Sequence, residues 1–275
     1  MGKAINDMVL DDKIVRKRIF SMIFPIIIEN VLQLAVNIVS MGMIGRLSVA
    51  SVNAQGVSSL LTGIIWSLFK GIAVAATVLI ANAYGSKDDE KLRKVAKQAM
   101  LSLVVLGFVL QQFVFWNGKT LLLVFNPQPG ILNDAAGYLK ILSFGFPFVA
   151  IMLCITGILQ GMGNAKTPML IAAIMNIVNI LCSYALIFGN LGFKAMGLQG
   201  AALALVISQG TGAICGLWIL FRKKGMLHGT PITSFFKVDF SLIKDLFKIG
   251  IPTGIENAFW QLSSIVLSRI ILSFG

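Results

Sequence analysis

The sequence predicts an all-α membrane protein, a polytopic bundle of about seven transmembrane helices. Hydrophobic residues make up 57% of the 275 positions and charged residues only 12%, unlike the composition of a soluble domain. Seven apolar runs of 20 residues or more alternate with short polar segments, and about 20 residues suffice to cross a bilayer as a helix. The runs lack the strict polar–apolar alternation of a membrane β-strand.

The first three predicted spans lie at residues 19–44, 57–83 and 99–125. A polar, basic leader of 18 residues precedes span 1, and we interpret it as a short amphipathic segment. The charged stretch 86–94 after span 2 is predicted to be a surface helix at the lipid headgroups. Span 3 is predicted to break near Asn117 and Gly118.

The remaining spans lie at residues 136–159, 169–188, 198–221 and 249–272. Gly145 and Pro147 are expected to kink span 4. A glycine-rich loop then leads into span 5, where Thr167 is the predicted N-cap and Pro168 the first helical residue.

Spans 1 and 7 share a short phrase in which a proline is followed four and five residues later by glutamate and asparagine. The phrase occupies residues 25–30 and returns at residues 252–257, 227 positions later. Seven of 27 positions are identical between residues 22–48 and 249–275, and four of these lie in the phrase. This concentration favours an internal repeat, a feature of many transporter folds, over chance.

Span 1 carries a polar stripe. Glu29, Gln33, Asn37 and Ser40 are spaced four, four and three residues apart, so they share one helix face. A carboxylate at mid-membrane depth costs at least ~2.5 kcal/mol, so such a residue usually faces a cavity or a partner. Lys70, near the middle of span 2, has two interpretations: it faces the same cavity as Glu29, or its side chain snorkels to the headgroups.

Spans 5 and 7 add further polar residues. Beside Glu256, span 7 carries a stripe of Asn257, Gln261, Ser264 and Ser268. The residues predicted to line an ion or substrate pathway are Glu29, Gln33, Asn37, Ser40, Lys70, Asn176, Asn179, Glu256, Asn257 and Gln261.

The basic residues predict the orientation. With the N-terminus inside, 17 of the 23 lysines and arginines fall on the cytoplasmic side, five outside and one within a span. We therefore expect a multi-pass protein of the plasma or inner membrane with a cytoplasmic N-terminus. The charges form short blocks between apolar runs, so the expected surroundings are a lipid bilayer, and no nucleic-acid partner is indicated.

The residues that carry enzyme chemistry are sparse. The three cysteines stand singly in apolar surroundings, which predicts neither a disulfide nor a zinc site. The single histidine, His228, lies in a loop, and no hydrolase or metalloprotease motif is present. We expect no enzyme activity, no cofactor and no metal site.

Three segments resemble the multidrug and toxic compound extrusion (MATE) family. They are the proline–glutamate–asparagine phrase, the end of span 2 (Ala-Asn-Ala-Tyr-Gly-Ser-Lys-Asp, residues 81–88), and the loop Gly-Met-Gly-Asn-Ala-Lys-Thr-Pro, residues 161–168. The resemblance implies twelve helices in two six-helix lobes that export organic cations and drugs against a proton or sodium gradient. Residues 1–237 then correspond to the first lobe and residues 238–275 to the start of a second, so we interpret the chain as a fragment or a truncated product.

The resemblance also implies functional residues. One prokaryotic branch of the family uses two aspartates beside an asparagine in its first lobe. The matching positions here are Ser40, Ser183 and Asn179, so only the asparagine is present. Other members use an acidic residue of span 7, the helix that contains Glu256.

We therefore expect Glu29 and Glu256 to carry proton coupling in the full-length protein. Glu256→Gln is expected to abolish gradient-driven export, and Glu29→Gln to weaken it or shift its pH optimum. The alternative is that both carboxylates only cap backbone groups freed by Pro25 and Pro252.

Other functions stay open. A lipid-linked saccharide flippase of the same superfamily would need cationic residues in its cavity, for which Lys70 is the candidate. A non-functional fragment and a half-size subunit that acts as a dimer are further alternatives, and a membrane-embedded enzyme lacks its expected motifs.

Overall fold

The structure is a computed structural model. It describes the backbone of residues 2–223 and 225–274, and the side chains of these residues except at 2–15, 17, 18, 129, 232, 262 and 264–274. Two predictions fall on side chains that the structure does not describe. They are the amphipathic character of the leader, and the positions of Ser264 and Ser268 in the polar stripe of span 7.

The described chain is all-helical, as the composition predicts. Its helices are α1 (Gly2–Gly45), α2 (Val49–Gly85), α3 (Asp89–Leu123), α4 (Pro129–Ser143), α5 (Phe146–Gly161), α6 (Lys166–Phe188), α7 (Leu198–Phe221) and α8 (Phe240–Phe274). A short 3-10 helix, Ile232–Phe236, lies in the segment 222–239 between α7 and α8, which we call the connector.

The length and apolar composition of its helices identify the chain as a multi-pass membrane protein. Among the described residues, five helices are long and apolar enough to cross a membrane, and α4 with α5 supplies a sixth span when the bent pair is counted as one. Helix α8 has 35 residues, and most of its second half lies outside the described side chains.

Two predicted irregularities have different outcomes. The kink of span 4 is confirmed, because α4 and α5 are bent by 51° at the break that contains Gly145. The prediction of a break near Asn117 and Gly118 is wrong, since α3 continues through both residues. The Asn117 amide donates to the carbonyl oxygen of Phe113 at 3.1 Å, and Gly118 is buried against Leu139.

Two predicted helix starts are also corrected. The charged stretch 86–94 is not a separate surface helix, because α3 starts within it, capped by the Asp88 side chain, which accepts from the backbone N–H of Lys91 at 2.9 Å. In α6 the N-cap residue is Ala165, and the side chain of Asn164 before it accepts from the backbone N–H of Thr167 at 3.2 Å. Helix α6 begins at Lys166, so Thr167 lies inside the first turn instead of at the cap, and Pro168 is the third helical residue instead of the first.

Helix α2 is the centre of the bundle and packs against α3, α4, α5 and α8. Its buried Phe69 meets Phe146 of α5 edge to face, with 6.4 Å between ring centroids. Helices α6 and α7 form a second packed pair, and α1 lies chiefly against α6. Span 1 is consequently separated from most of α2, and polar side chains face the space between them.

Helix α8 docks on α2 through glycines. A Cβ added to Gly71 of α2 would collide with backbone atoms of Gly250 and Gly254 in α8. A Cβ on Gly250 would in turn lie 2.9 Å from the Cα of Ile72. Only small residues allow two helix backbones to approach this closely. The second copy of the repeated phrase is thereby held against α2.

Candidate functional site

The largest gathering of predicted pathway residues lies in a cavity of about 550 Å³ beside α2, which we call the central cavity. Gln33 and Asn37 of α1, Lys70 of α2, and Asn257 and Gln261 of α8 all line it. These five residues come from three helices and from both copies of the repeat. The structure therefore brings together polar residues that are up to 228 positions apart in the sequence.

Amide, hydroxyl and indole groups make up most of the remaining polar lining. They come from Gln55, Ser59, Thr62, Trp66, Ser67, Tyr138, Gln209 and Trp260. Among the described side chains that line the central cavity, Lys70 is the one lysine, and no arginine, histidine, aspartate or glutamate accompanies it. Lys70 is exposed to this space, although it lies near the middle of a long apolar helix. The cavity thus offers many neutral hydrogen-bonding groups and one cation.

Glu29 lies in a smaller pocket of about 90 Å³. It is half-buried, and Gln160 of α5 donates from Nε2 to its Oε2 at 3.5 Å, the outer limit of a hydrogen bond. Asn176 of α6 lines the same pocket and is buried. Gln33, Trp66 and Gln209 line both this pocket and the central cavity. Glu29 and Lys70 therefore face two adjoining spaces. One of the two interpretations of Lys70 expects a single cavity shared with Glu29.

Ser40 and Asn179 form a separate polar contact between α1 and α6. The Ser40 hydroxyl donates to Oδ1 of Asn179 at 3.2 Å. Ser183, one turn further along α6, is also buried. Two of the three positions that the family resemblance assigned to an ion site thus meet between two packed helices, and the third lies one turn away. Serines stand at the two positions where the resemblance expects aspartates, and the asparagine is present.

Glu256 is exposed and lines neither the central cavity nor the smaller pocket. Its neighbour Asn257 donates from Nδ2 to the carbonyl oxygen of Thr253 at 2.8 Å. In α1, Asn30 forms the equivalent bond to Ile26 at 2.9 Å. The asparagine of each phrase contacts the helix backbone, whereas the described contact of Glu29 is with Gln160.

Sequence reasoning missed two glutamines. Gln160 contacts Glu29, and the buried Gln209 lines both spaces, with an Oε1 that has no donor among the described residues. Each is a strongly polar side chain in a largely apolar helix, which is the same signal that identified Glu29. A search for polar side chains in apolar helices finds both glutamines when it includes amides as well as charged groups.

Within the described residues, no three His, Cys, Asp or Glu side chains are close enough together to hold a metal ion.

A model of the MatE family matches residues 25–185. The chain is 27% identical over 261 residues to the "Probable multidrug resistance protein NorM" of Thermotoga maritima, which spans 95% of this chain and 56% of that protein. It is 28% identical over 253 residues to the "Probable multidrug resistance protein YoeA" of Bacillus subtilis, with 91% and 55% covered. The chain thus spans about half the length of these relatives.

Solved structures share the fold. A MATE crystal structure in the bent conformation superposes with a TM-score of 0.83 at 23% identity, covering 94% of this chain and 57% of that one. A MOP superfamily transporter from Pyrococcus furiosus, described as having a binding pocket of reverse polarity, superposes with a TM-score of 0.84 at 22% identity, covering 92% and 55%. At these identities the likeness establishes the arrangement of helices alone.

Proposed function

Since the chain belongs to the MatE family, we propose that it supplies the first lobe, residues 1–237, and the start of the second, residues 238–275, of a drug exporter. The exporter works by alternating access in the plasma or inner membrane. It expels drugs or other organic cations in exchange for entering H⁺ or Na⁺. The names of the relatives support drug export, and the site supports the coupling.

The observation that carries this proposal is the position of Glu29. It is a carboxylate half-buried within a membrane helix, with an amide donor at one side and a pocket that adjoins the central cavity at the other. When the cleft is wet, the ionised carboxylate can attract a cation. When the cleft closes, the same group can remain in the apolar interior only by binding a proton or another cation. Exchange between these two states couples the gradient to the substrate.

Export of a cationic dye by the full-length protein tests the role of Glu29. Glu29→Gln keeps the shape of the side chain but cannot exchange a proton, so gradient-driven export should fall at least about tenfold between pH 6 and pH 8. Glu256→Gln tests the second copy, and Glu90→Gln is the control, because Glu90 is an exposed carboxylate outside the two pockets. Export at the parental rate by both Glu29→Gln and Glu256→Gln would refute the proposal.

The proposed orientation places the N-terminus in the cytoplasm. Lys91, at the start of α3, is then cytoplasmic, and Lys194, between α6 and α7, is external. In a background without cysteine, a thiol reagent that cannot cross membranes should label Lys194→Cys and not Lys91→Cys in intact cells. The reverse labelling would overturn the orientation.

A second candidate function has one observation in its favour. Lys70 is the charged side chain of the central cavity, and neither Glu29 nor Glu256 lines that cavity. A cationic cavity suits an anionic substrate, as in the transport of a lipid-linked saccharide, and the Pyrococcus furiosus transporter is described as having reverse polarity. Lys70→Gln separates the two functions, because it should strengthen dye export if the substrate is cationic and abolish transport if the substrate is anionic.

A further inference from the structure

A second cavity, of about 400 Å³, lies at the end of the bundle where α3 and α8 begin. Lys94, Lys97 and Gln98 of α3 form one wall, and Lys237 and Asp239 of the connector form the other. Among the described residues, none lines both this cavity and the central cavity. We call it the connector cavity, and the transport proposal does not use it.

The carboxylates near the connector cavity are already engaged. Glu90 pairs with Lys94 at 2.8 Å. Asp239 accepts two backbone N–H groups in the first turn of α8, where the helix dipole favours a negative charge. In the described part of the chain, no carboxylate pairs with Lys97 or Lys237. Among the described residues, Lys97 and Lys237 therefore face the cavity without an ion-pair partner, and the lining carries three lysines against the single carboxylate of Asp239.

Gln98 supplies an acceptor that lacks a protein partner. Its side chain is 3% exposed, and its Nε2 donates to the carbonyl oxygen of Lys237 at 2.7 Å. This bond fixes the amide and leaves Oε1 buried without a donor among the described residues. A buried amide oxygen is stabilised by a hydroxyl or N–H group. The cavity thus combines cations for an anion with an acceptor for a ligand that carries a donor.

Exposed apolar side chains indicate where that ligand comes from: Val238 and Phe240 line the cavity, and Phe236 precedes them on the connector. Phe236 is 71% exposed and Phe240 is 80% exposed, and Val238 between them is also exposed. Apolar and aromatic side chains beside lysines are typical of a segment that lies in the membrane interface and contacts anionic lipid. A lipid with its headgroup in the cavity would place its acyl chains beside these residues.

We propose that the connector cavity binds the headgroup of an anionic phospholipid that carries hydroxyl groups, with phosphatidylglycerol as the representative ligand. The phosphate lies between Lys97 and Lys237, and a glycerol hydroxyl donates to Oε1 of Gln98. Phe236 and Phe240 contact the acyl chains. The volume lies within the range of about 300–1,000 Å³ that small-molecule sites occupy.

Native mass spectrometry of the full-length protein in detergent tests this proposal. Phosphatidylglycerol is titrated against phosphatidylcholine, and soluble glycerol phosphate is added as a competitor. The variant Lys97→Gln/Lys237→Gln should bind phosphatidylglycerol about thirty-fold more weakly, because each lysine near an anionic lipid surface contributes to binding. Lys237 is exposed and Lys97 is half-buried, and neither forms a described ion pair, so the variant should unfold close to the parental temperature.

Lys119→Gln/Lys194→Gln is the matched control, since it removes two lysines outside the connector cavity and changes the net charge equally. Parental binding by this control supports a defined site, and equal weakening of both variants would overturn it. Gln98→Leu should reduce the preference for phosphatidylglycerol over phosphatidic acid, which lacks the glycerol hydroxyls. If glycerol phosphate binds as tightly as the lipid, the site is one for a soluble phosphate ester and the lipid assignment is wrong.

Discussion

Helices α1 and α8 carry the two copies of the repeated phrase, and their asparagines form the same local hydrogen bond. Asn30 donates to the carbonyl four residues earlier in α1, and Asn257 does the same in α8. The surroundings differ, because α1 lies chiefly against α6 whereas α8 lies chiefly against α2. Glu29 is half-buried beside Gln160, but Glu256 is exposed.

The difference follows from the residues at two equivalent positions. Where α8 has Gly250 and Gly254, which touch α2, α1 has Ile23 and Ile27, which are exposed. An isoleucine at either glycine position would prevent the close approach to α2. The phrase therefore determines the local helix, and the neighbouring small residues determine which helix it packs against.

The largest expected effect comes from the glycine contact. Gly71→Ala should lower the free energy of unfolding by about 1–3 kcal/mol, because its Cβ meets the backbone of α8, which cannot move aside as a side chain can. Unfolding in mixed micelles measures the change, and a disulfide cross-link engineered between α2 and α8 measures docking directly.

Gly56→Ala is the matched control for this substitution. It lies in the same helix with no heavy atom within 4 Å of the added Cβ, so it should stabilise the helix by up to ~1 kcal/mol. If the two alanine variants had the same stability, the glycine docking of α8 would be contradicted.

A smaller effect on stability is expected from removing the hydrogen bond between Gln160 and Glu29, a contact that Glu256 lacks. In a double-mutant cycle, Glu29→Leu and Gln160→Leu should be coupled by about 1 kcal/mol in the free energy of unfolding, because the donor and acceptor interact directly. Glu256→Leu and Gln160→Leu should be additive within ~0.5 kcal/mol. Additivity in the first cycle would remove the distinction between the two carboxylates.

The smallest expected effect is on the bond that both copies share. Asn30→Ala and Asn257→Ala should each change the free energy of unfolding by about 0.5 kcal/mol or less, since each bond is local and partly exposed to solvent. In transport assays the two should differ, because Asn257 lines the central cavity and Asn30 does not. A raised KM for Asn257→Ala and an unchanged KM for Asn30→Ala are the expected results.

Apolar length predicted the helices well, and the ends of α7 coincide with the predicted span 198–221. The error at Gly118 has a physical cause: glycine ends a helix in water, but in a membrane bundle it also makes room for a neighbour, here Leu139. A single sequence does not distinguish these two uses of glycine, because the difference lies in the packing partner.

The candidate site was predictable in its residue types and less so in its grouping. Periodicity placed Glu29 and Gln33 on one face, and the structure places both at the same pocket. The separation of Glu29 from Lys70 depends on how α1, α2 and α5 pack together, and on Trp66 and Gln209 between the two spaces. Helical periodicity describes one helix at a time and carries no information on that packing.

The docking of α8 on α2 also has a consequence for biosynthesis. Gly250 follows Gly71 by 179 residues. At about 5–20 residues per second, the ribosome needs about 10–35 s after Gly71 to synthesise Gly250, whose backbone packs against it. During that interval the groove formed by Gly71 is open, and grooves of small residues are the surfaces on which membrane helices pair. The translocation machinery or lipid must occupy it until α8 enters the bilayer, which makes this face of α2 the place where slow insertion would lead to mispairing.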